Sequence, residues 1–277
     1  MGRWLLSLAV VVALGGCSCL PDWKAEPDAV TAHFRVRTVT SRDPALARHV
    51  GALAEGYRTA LAGLFGVNPG TERALPILVY TDPAAYTDAR SCVDLDEHVP
   101  GFTISFVGEE ERFACVRWIE EGWSSRTLVH ELVHEFTART LPKDLPTWKD
   151  EGLAAALAHG VDDLTTHDTH LWRCPVLACS RLADDELRVM IGEAMRSRAV
   201  VYTNAAGALV RFGLETGGWA DARSIVAWEP DVDAFLEWIR STPRERWHTR
   251  LLPVRAGGGD LSPAPASTPP APAPTPR

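Results

Sequence analysis

The chain is predicted to be α+β, with a small mixed or antiparallel sheet followed by a mostly helical C-terminal half. Three observations predict it. Short β-type runs are confined to residues 33–119, and helical periodicity takes over from Ser125. Hydrophobic residues make up 46% of the chain and charged ones 23%, the balance of a folded domain. Residues 33–250 suffice for one substantial core, so one domain is expected there.

Taken in order, His33-Phe34-Arg35-Val36-Arg37-Thr38-Val39 alternates like a half-buried strand. Ala45 to Phe65 is rich in alanine and leucine and reads as a long helix, closed near Gly66 and Pro69. Strands follow at 75–80, 101–107 and 113–119, with 84–98 read as irregular. Helices are expected over 125–139, 147–159, 184–196, 203–216, 219–228 and 231–240. Ser124 or Ser125 is expected to cap the first of these and Thr147 the second. Gly257 to Arg277 is Pro, Ala, Ser and Thr with almost no charge; a tail of that composition cannot bury a core, so 257–277 is expected to be disordered.

The helix expected at 125–139 carries the chemistry. Within Thr127-Leu128-Val129-His130-Glu131-Leu132-Val133-His134-Glu135-Phe136, residues four apart share a face, so His130 and His134 can offer two imidazole nitrogens to one ion. Glu131 stands beside them, able to address a water rather than the metal. Zinc suits such a set because it takes nitrogen ligands and keeps one position open in catalytic sites. Leu128, Val129, Leu132, Val133 and Phe136 supply an apolar stripe to hold the helix on a core. Glu151, in Pro146-Thr147-Trp148-Lys149-Asp150-Glu151, is the favoured third ligand, brought back by a helix–loop–helix hairpin; Asp150 and His159 compete for the role. Glu135 and Arg126 read as solvated, and His167-x-x-His170 as a solvated loop pair rather than a second metal site. Trp118, Trp123 and Trp148 read as core and rim residues before cleft residues.

His130-Glu131-x-x-His134 with Trp148-x-x-Glu151-Gly152-Leu153-Ala154 resembles the gluzincin metallopeptidases, in particular the bacterial peptidase MA-like family. The likeness runs on through Leu75–Tyr80, Gly101–Phe106 and Phe113–Val116, and through the helix following Val201-Tyr202, covering about residues 33–240. It implies a zincin-like α+β fold and a peptidase with one Zn2+ per chain on His130, His134 and Glu151. Glu131 would be general base to a metal-activated water. It also implies Tyr202 as a donor to the oxyanion, against packing at a helix end. In such folds an extended peptide adds to the sheet edge beside the metal helix, a place the strand near 113–118 is expected to fill. No Gly-x-Met-Glu-Asn segment is visible, so the resemblance implies an endopeptidase or specialised peptidase rather than an aminopeptidase.

The N-terminus suggests where this happens. Met1-Gly2-Arg3 is a positive start, Trp4–Leu14 an apolar stretch too short to span a bilayer, and Leu14-Gly15-Gly16-Cys17 a small-residue close. Residues 1–16 resemble a bacterial lipoprotein signal, with Cys17 acylated and 17–32 forming anchor and tether; the alternative is a plain secretory signal. Ser18 offers no acidic retention signal, which favours the outer membrane of the cell envelope. Six cysteines suit an exported chain, with Cys174–Cys179 and Cys92–Cys115 as candidate bridges and the connectivity left open. A net charge of −8 with no basic stripe argues against nucleic acid as a partner. The resemblance implies a peptide or protein substrate, and the N-terminal segment implies attachment to the membrane through its lipid. Two other functions stay open: a non-catalytic zinc-site binding or structural lipoprotein, and a zinc hydrolase of a cell-wall amide.

Overall fold

The computed structural model describes residues 22–67, 74–93, 95, 101–105, 112–119, 121–158, 179–196 and 203–243. Its α+β architecture agrees with the expectation: strands come first, helices later. The strands are β1 (Ala29–Val30), β2 (Phe34–Val39), β3 (Leu75–Tyr80), β4 (Gly101–Ser105) and β5 (Arg112–Arg117). They form one mixed sheet in the order β1-β2-β3-β5-β4. β2, β3 and β5 run parallel, with Val36 beside Ile77 and Ile77 beside Ala114. β1 and β4 close the two sides antiparallel.

Among the described residues the helices are α1 (Pro44–Phe65), α2 (Pro83–Ser91), α3 (Glu121–Thr140), α4 (Thr147–Ala158), α5 (Asp184–Arg196), α6 (Thr203–Thr216) and α7 (Val232–Ser241), with a 3-10 segment at Ala222–Val226. α1 begins where the Asp43 carboxylate accepts the amides of Ala45 and Leu46. It ends at Gly66, whose φ of 61° places it in the left-handed region. Phe34, Val36, Ile77, Val79 and Val116 point from the sheet into a core shared with α1, α3, α4 and α6. The opposite face carries Leu78, Tyr80, Phe102, Ile104, Phe113 and Cys115 under Tyr86 of α2.

Some expectations are corrected. Residues 84–98 were to be irregular, yet Pro83–Ser91 is helical: Asp82 accepts the Ala84 amide and Pro83 sits in the first turn. The helix expected over 219–228 shrinks to the 3-10 turn Ala222–Val226, which begins where the Asp221 carboxylate accepts the Arg223 amide. Trp219 and Trp228 on either side of it meet edge-to-face with ring centroids 5.2 Å apart. α3 starts at Glu121, so neither Ser124 nor Ser125 is its cap; Ser124 Oγ instead accepts the Ile119 amide at 2.8 Å. Thr147 is already helical, and the Pro146 carbonyl accepts the amides of Lys149 and Asp150. β5 is interior, paired with β3 and β4, so among the described residues the strand at the sheet's edge beside α3 is β4.

Cys92 is disulfide-bonded. Cys115 and Cys179 are buried thiols, so neither candidate bridge forms: Cys115 faces Leu78, Tyr80 and Phe102 in mid-sheet, and the partner of Cys92 lies outside the described residues. Part of the segment read as a tether lies against the fold. Trp23 stacks on Phe113 at 5.6 Å, and Asp28 accepts the amide and hydroxyl of Thr38. Cys17, Tyr202, His159, His167, His170, Cys174 and the tail at 257–277 lie outside the described residues.

α4 is buried nearly all round between α3 and α6, which calls for a residue without a side chain at the closest approach. Gly152 is that residue: a Cβ there would stand 2.6 Å from Val210 Cγ2 and 2.9 Å from the Ala206 carbonyl. Gly152→Ala is therefore expected to cost about 1–3 kcal/mol by overpacking, read as a lower melting temperature.

Candidate metal centre

α3 and α4 form a hairpin turned by Leu141–Pro146, and the site lies where they face each other. His130 and His134 are one turn apart on α3, their rings edge-to-face with centroids 4.7 Å apart and their Nε2 atoms 3.1 Å apart. Glu151, just past the first turn of α4, closes the group: Oε2 lies 3.5 Å from His130 Nε2 and Oε1 3.7 Å from His134 Nε2. The three ligand atoms lie within 4.8 Å of one another, so this group can hold a metal ion. The apolar stripe read from sequence is what seats it, since Leu128, Val129, Leu132, Val133 and Phe136 are all buried.

The donor set fits a cation on its own evidence. Glu151 Oε2 is buried without a hydrogen bond. Burial alone would raise the Glu151 pKa, yet His134 and His130 outweigh it and hold the carboxyl below its usual value. Two imidazoles and a carboxylate converging on one point, with an acceptor left over, are what a positive ion would satisfy.

Asp150, weighed as a ligand, does different work. Its Oδ2 lies 3.0 Å from His134 Nδ1, and its Oδ1 accepts from the Thr137 hydroxyl at 2.5 Å. A carboxylate on Nδ1 keeps the proton there and leaves the Nε2 lone pair for a metal. Burial opposes a charge on either partner, but Asp150 and Glu151 together push His134 up to about 10, while His134 and Thr137 hold Asp150 low. Asp150→Asn is expected to weaken metal binding about ten- to a hundredfold with the fold intact, by calorimetric titration.

Glu131 points to the sheet. Its Oε2 accepts from Thr103 Oγ1 at 2.9 Å, and Thr103 stands in edge strand β4. Gly101, two residues earlier, makes room for it: a Cβ there would lie 3.1 Å from Glu131 Oε1 and 2.4 Å from Thr127 Cγ2. Burial raises the Glu131 pKa, against the pull of His130, His134 and Thr103. The structure thus brings together His130, His134, Glu151 and, alongside, Glu131.

Comparison with family profiles, curated proteins and solved structures returns no match to this chain. Its geometry carries the reading alone.

Other site readings change. Glu135 is buried, paired with Arg112 at 3.3 Å and with Arg139, because it stacks one turn beyond Glu131 on the sheet-facing side of α3. Arg126 is buried as well, beside buried Ser124, Ser125 and Thr127 on the same helix. Trp148 packs on Trp228 at 6.2 Å, and half-buried Trp118 meets the His49 ring edge-to-face. Thr103, Gly101 and Thr137 were missed. For Gly101 and Thr103 a signal existed: Gly101, Thr103 and Ser105 alternate with Phe102 and Ile104, the pattern of a strand whose two faces differ.

Proposed function

We propose that the chain is a zinc-dependent peptidase of the gluzincin type, held at the bacterial cell envelope by a lipid on Cys17. The observation that carries this is the convergence of His130, His134 and Glu151 beside a buried Glu131. Zinc, when bound there, polarises the scissile carbonyl and acidifies water.

The chain's own residues supply the rest. Glu131 takes a proton and delivers it to the leaving amine; its raised pKa favours holding that proton between the two steps. Thr103 fixes one carboxylate oxygen and leaves the other for the reaction. Asp150 and Thr137 orient His134. The outer edge of β4 offers backbone groups to an extended peptide, which would lie between the strand and the metal ligands. Such pairing is largely indifferent to side chains and suits a peptide more than an isolated amide. Tyr202, the residue before α6, is the proposed oxyanion donor.

The test is cleavage of a quenched peptide library by the detergent-solubilised full chain. Cleavage that is lost on chelation and restored by zinc is expected. A zinc-loaded chain with no turnover on any peptide would contradict a peptidase.

A further inference from the structure

Lys149 is 2% exposed, in the same helical turn as Asp150 and Glu151. An ammonium has three protons to donate and accepts nothing. Here all three have acceptors: the Trp228 carbonyl at 2.7 Å, the Val226 carbonyl at 3.1 Å and Glu229 Oε1 at 3.3 Å. Val226 ends the 3-10 segment, and carbonyls at such ends lack partners and carry partial negative charge. Burying an ammonium is costly unless it is paired in this way. The bond to Trp228 spans 79 residues of sequence.

The N-terminal end of α4 is thus held from two sides. Trp148 rests on Trp228, and Lys149 grips 226–229. Asp150 and Glu151 reach the opposite way, to His134 and His130. Successive helical residues are about 100° apart, so fixing the first two side chains fixes where the next two point. Segment 226–229 is itself seated on α6, where Gly213 leaves room for the Trp228 ring: a Cβ there would lie 2.9 Å from it.

We infer that Lys149 is a positioning residue for the metal centre, setting Asp150 and Glu151 against His130 and His134 by pinning α4 to residues 226–229. This rests on the metal reading of the triad. A lysine that merely holds the fold would lower stability and leave metal affinity unchanged.

The experiment is calorimetric titration of zinc into the full chain, Lys149→Met, Lys149→Arg and the control Arg240→Ala. Arg240 ties α7 to the carbonyls of Ser180 and Leu182 and to Asp184. Lys149→Met should raise the zinc Kd about tenfold or more, the loss typical of removing support behind a ligand. Lys149→Arg, which can donate to the same carbonyls, should recover most of the affinity. Arg240→Ala should lower the melting temperature alone. Parent affinity in Lys149→Met would overturn the inference.

If Lys149→Met does not fold, amide exchange in the unaltered chain decides. Coupling is reciprocal, so zinc should slow exchange at 227–229 as well as at 148–151. Protection at 148–151 alone would overturn the inference. A parent chain that binds no zinc would instead overturn the metal centre itself.

Discussion

Glu131→Gln should lower peptide turnover about a hundred- to ten-thousandfold while each chain still binds one zinc. Glutamine has the shape of the glutamate, and its amide oxygen can still accept from Thr103, which now donates at 2.9 Å. What it loses is the ability to take up and return a proton. Glu131 is 4% exposed, so water has little room to replace the carboxylate as base. The metal ligands are untouched, because Glu131 is not among them. Single-turnover rates with zinc counted in the same samples check this. Turnover within a few-fold of the parent would show that Glu131 is not the base.

Zinc binding should expel a proton and tighten as pH rises. In the metal-free chain His134 holds its proton up to about pH 10: burial works against the charge, but Asp150 and Glu151 prevail. A metal needs the neutral imidazole, so zinc must displace that proton. For one proton, affinity should climb about tenfold per pH unit through the neutral range and level off as pH passes that value. Titration in two buffers of different ionisation heat measures the proton released; a pH-independent affinity would contradict it. The sign for stability is opposite. A raised histidine pKa stabilises the metal-free fold fully below the unperturbed value of 6.5, and that stabilisation is lost as pH rises through about 10. Metal-free melting temperature should therefore fall from pH 7 to 10, and zinc should reverse the trend.

Much of this site was legible because its spacing is local. His130, Glu131 and His134 share a helix whose apolar stripe fixes its buried side, and Glu151 follows across a short hairpin. Partners distant in sequence were not legible. Nothing near Lys149 announces Val226 and Trp228, nothing near Glu131 announces Thr103, and Asp150 could be read only as a competitor to Glu151 for the metal, not as the partner of His134.

Strand order was the other gap. β5 is apolar in an unbroken run, Phe113-Ala114-Cys115-Val116, as befits a strand covered on both faces, while β4 alternates. Those patterns distinguish interior from edge only once both strands are known to neighbour α3. The disulfides failed for a similar reason, since compartment predicts that bridges form but not which thiols meet; Cys115 points into the core under α2.

The central claim is that His130, His134 and Glu151 form one zinc site. Metal content of the purified full chain, measured beside Glu151→Ala after both are equilibrated with the same limiting free zinc, tests it most directly. The account predicts one zinc per parent chain and a substantial loss in Glu151→Ala. A parent chain without zinc, or a Glu151→Ala chain that retains the full equivalent, would contradict it.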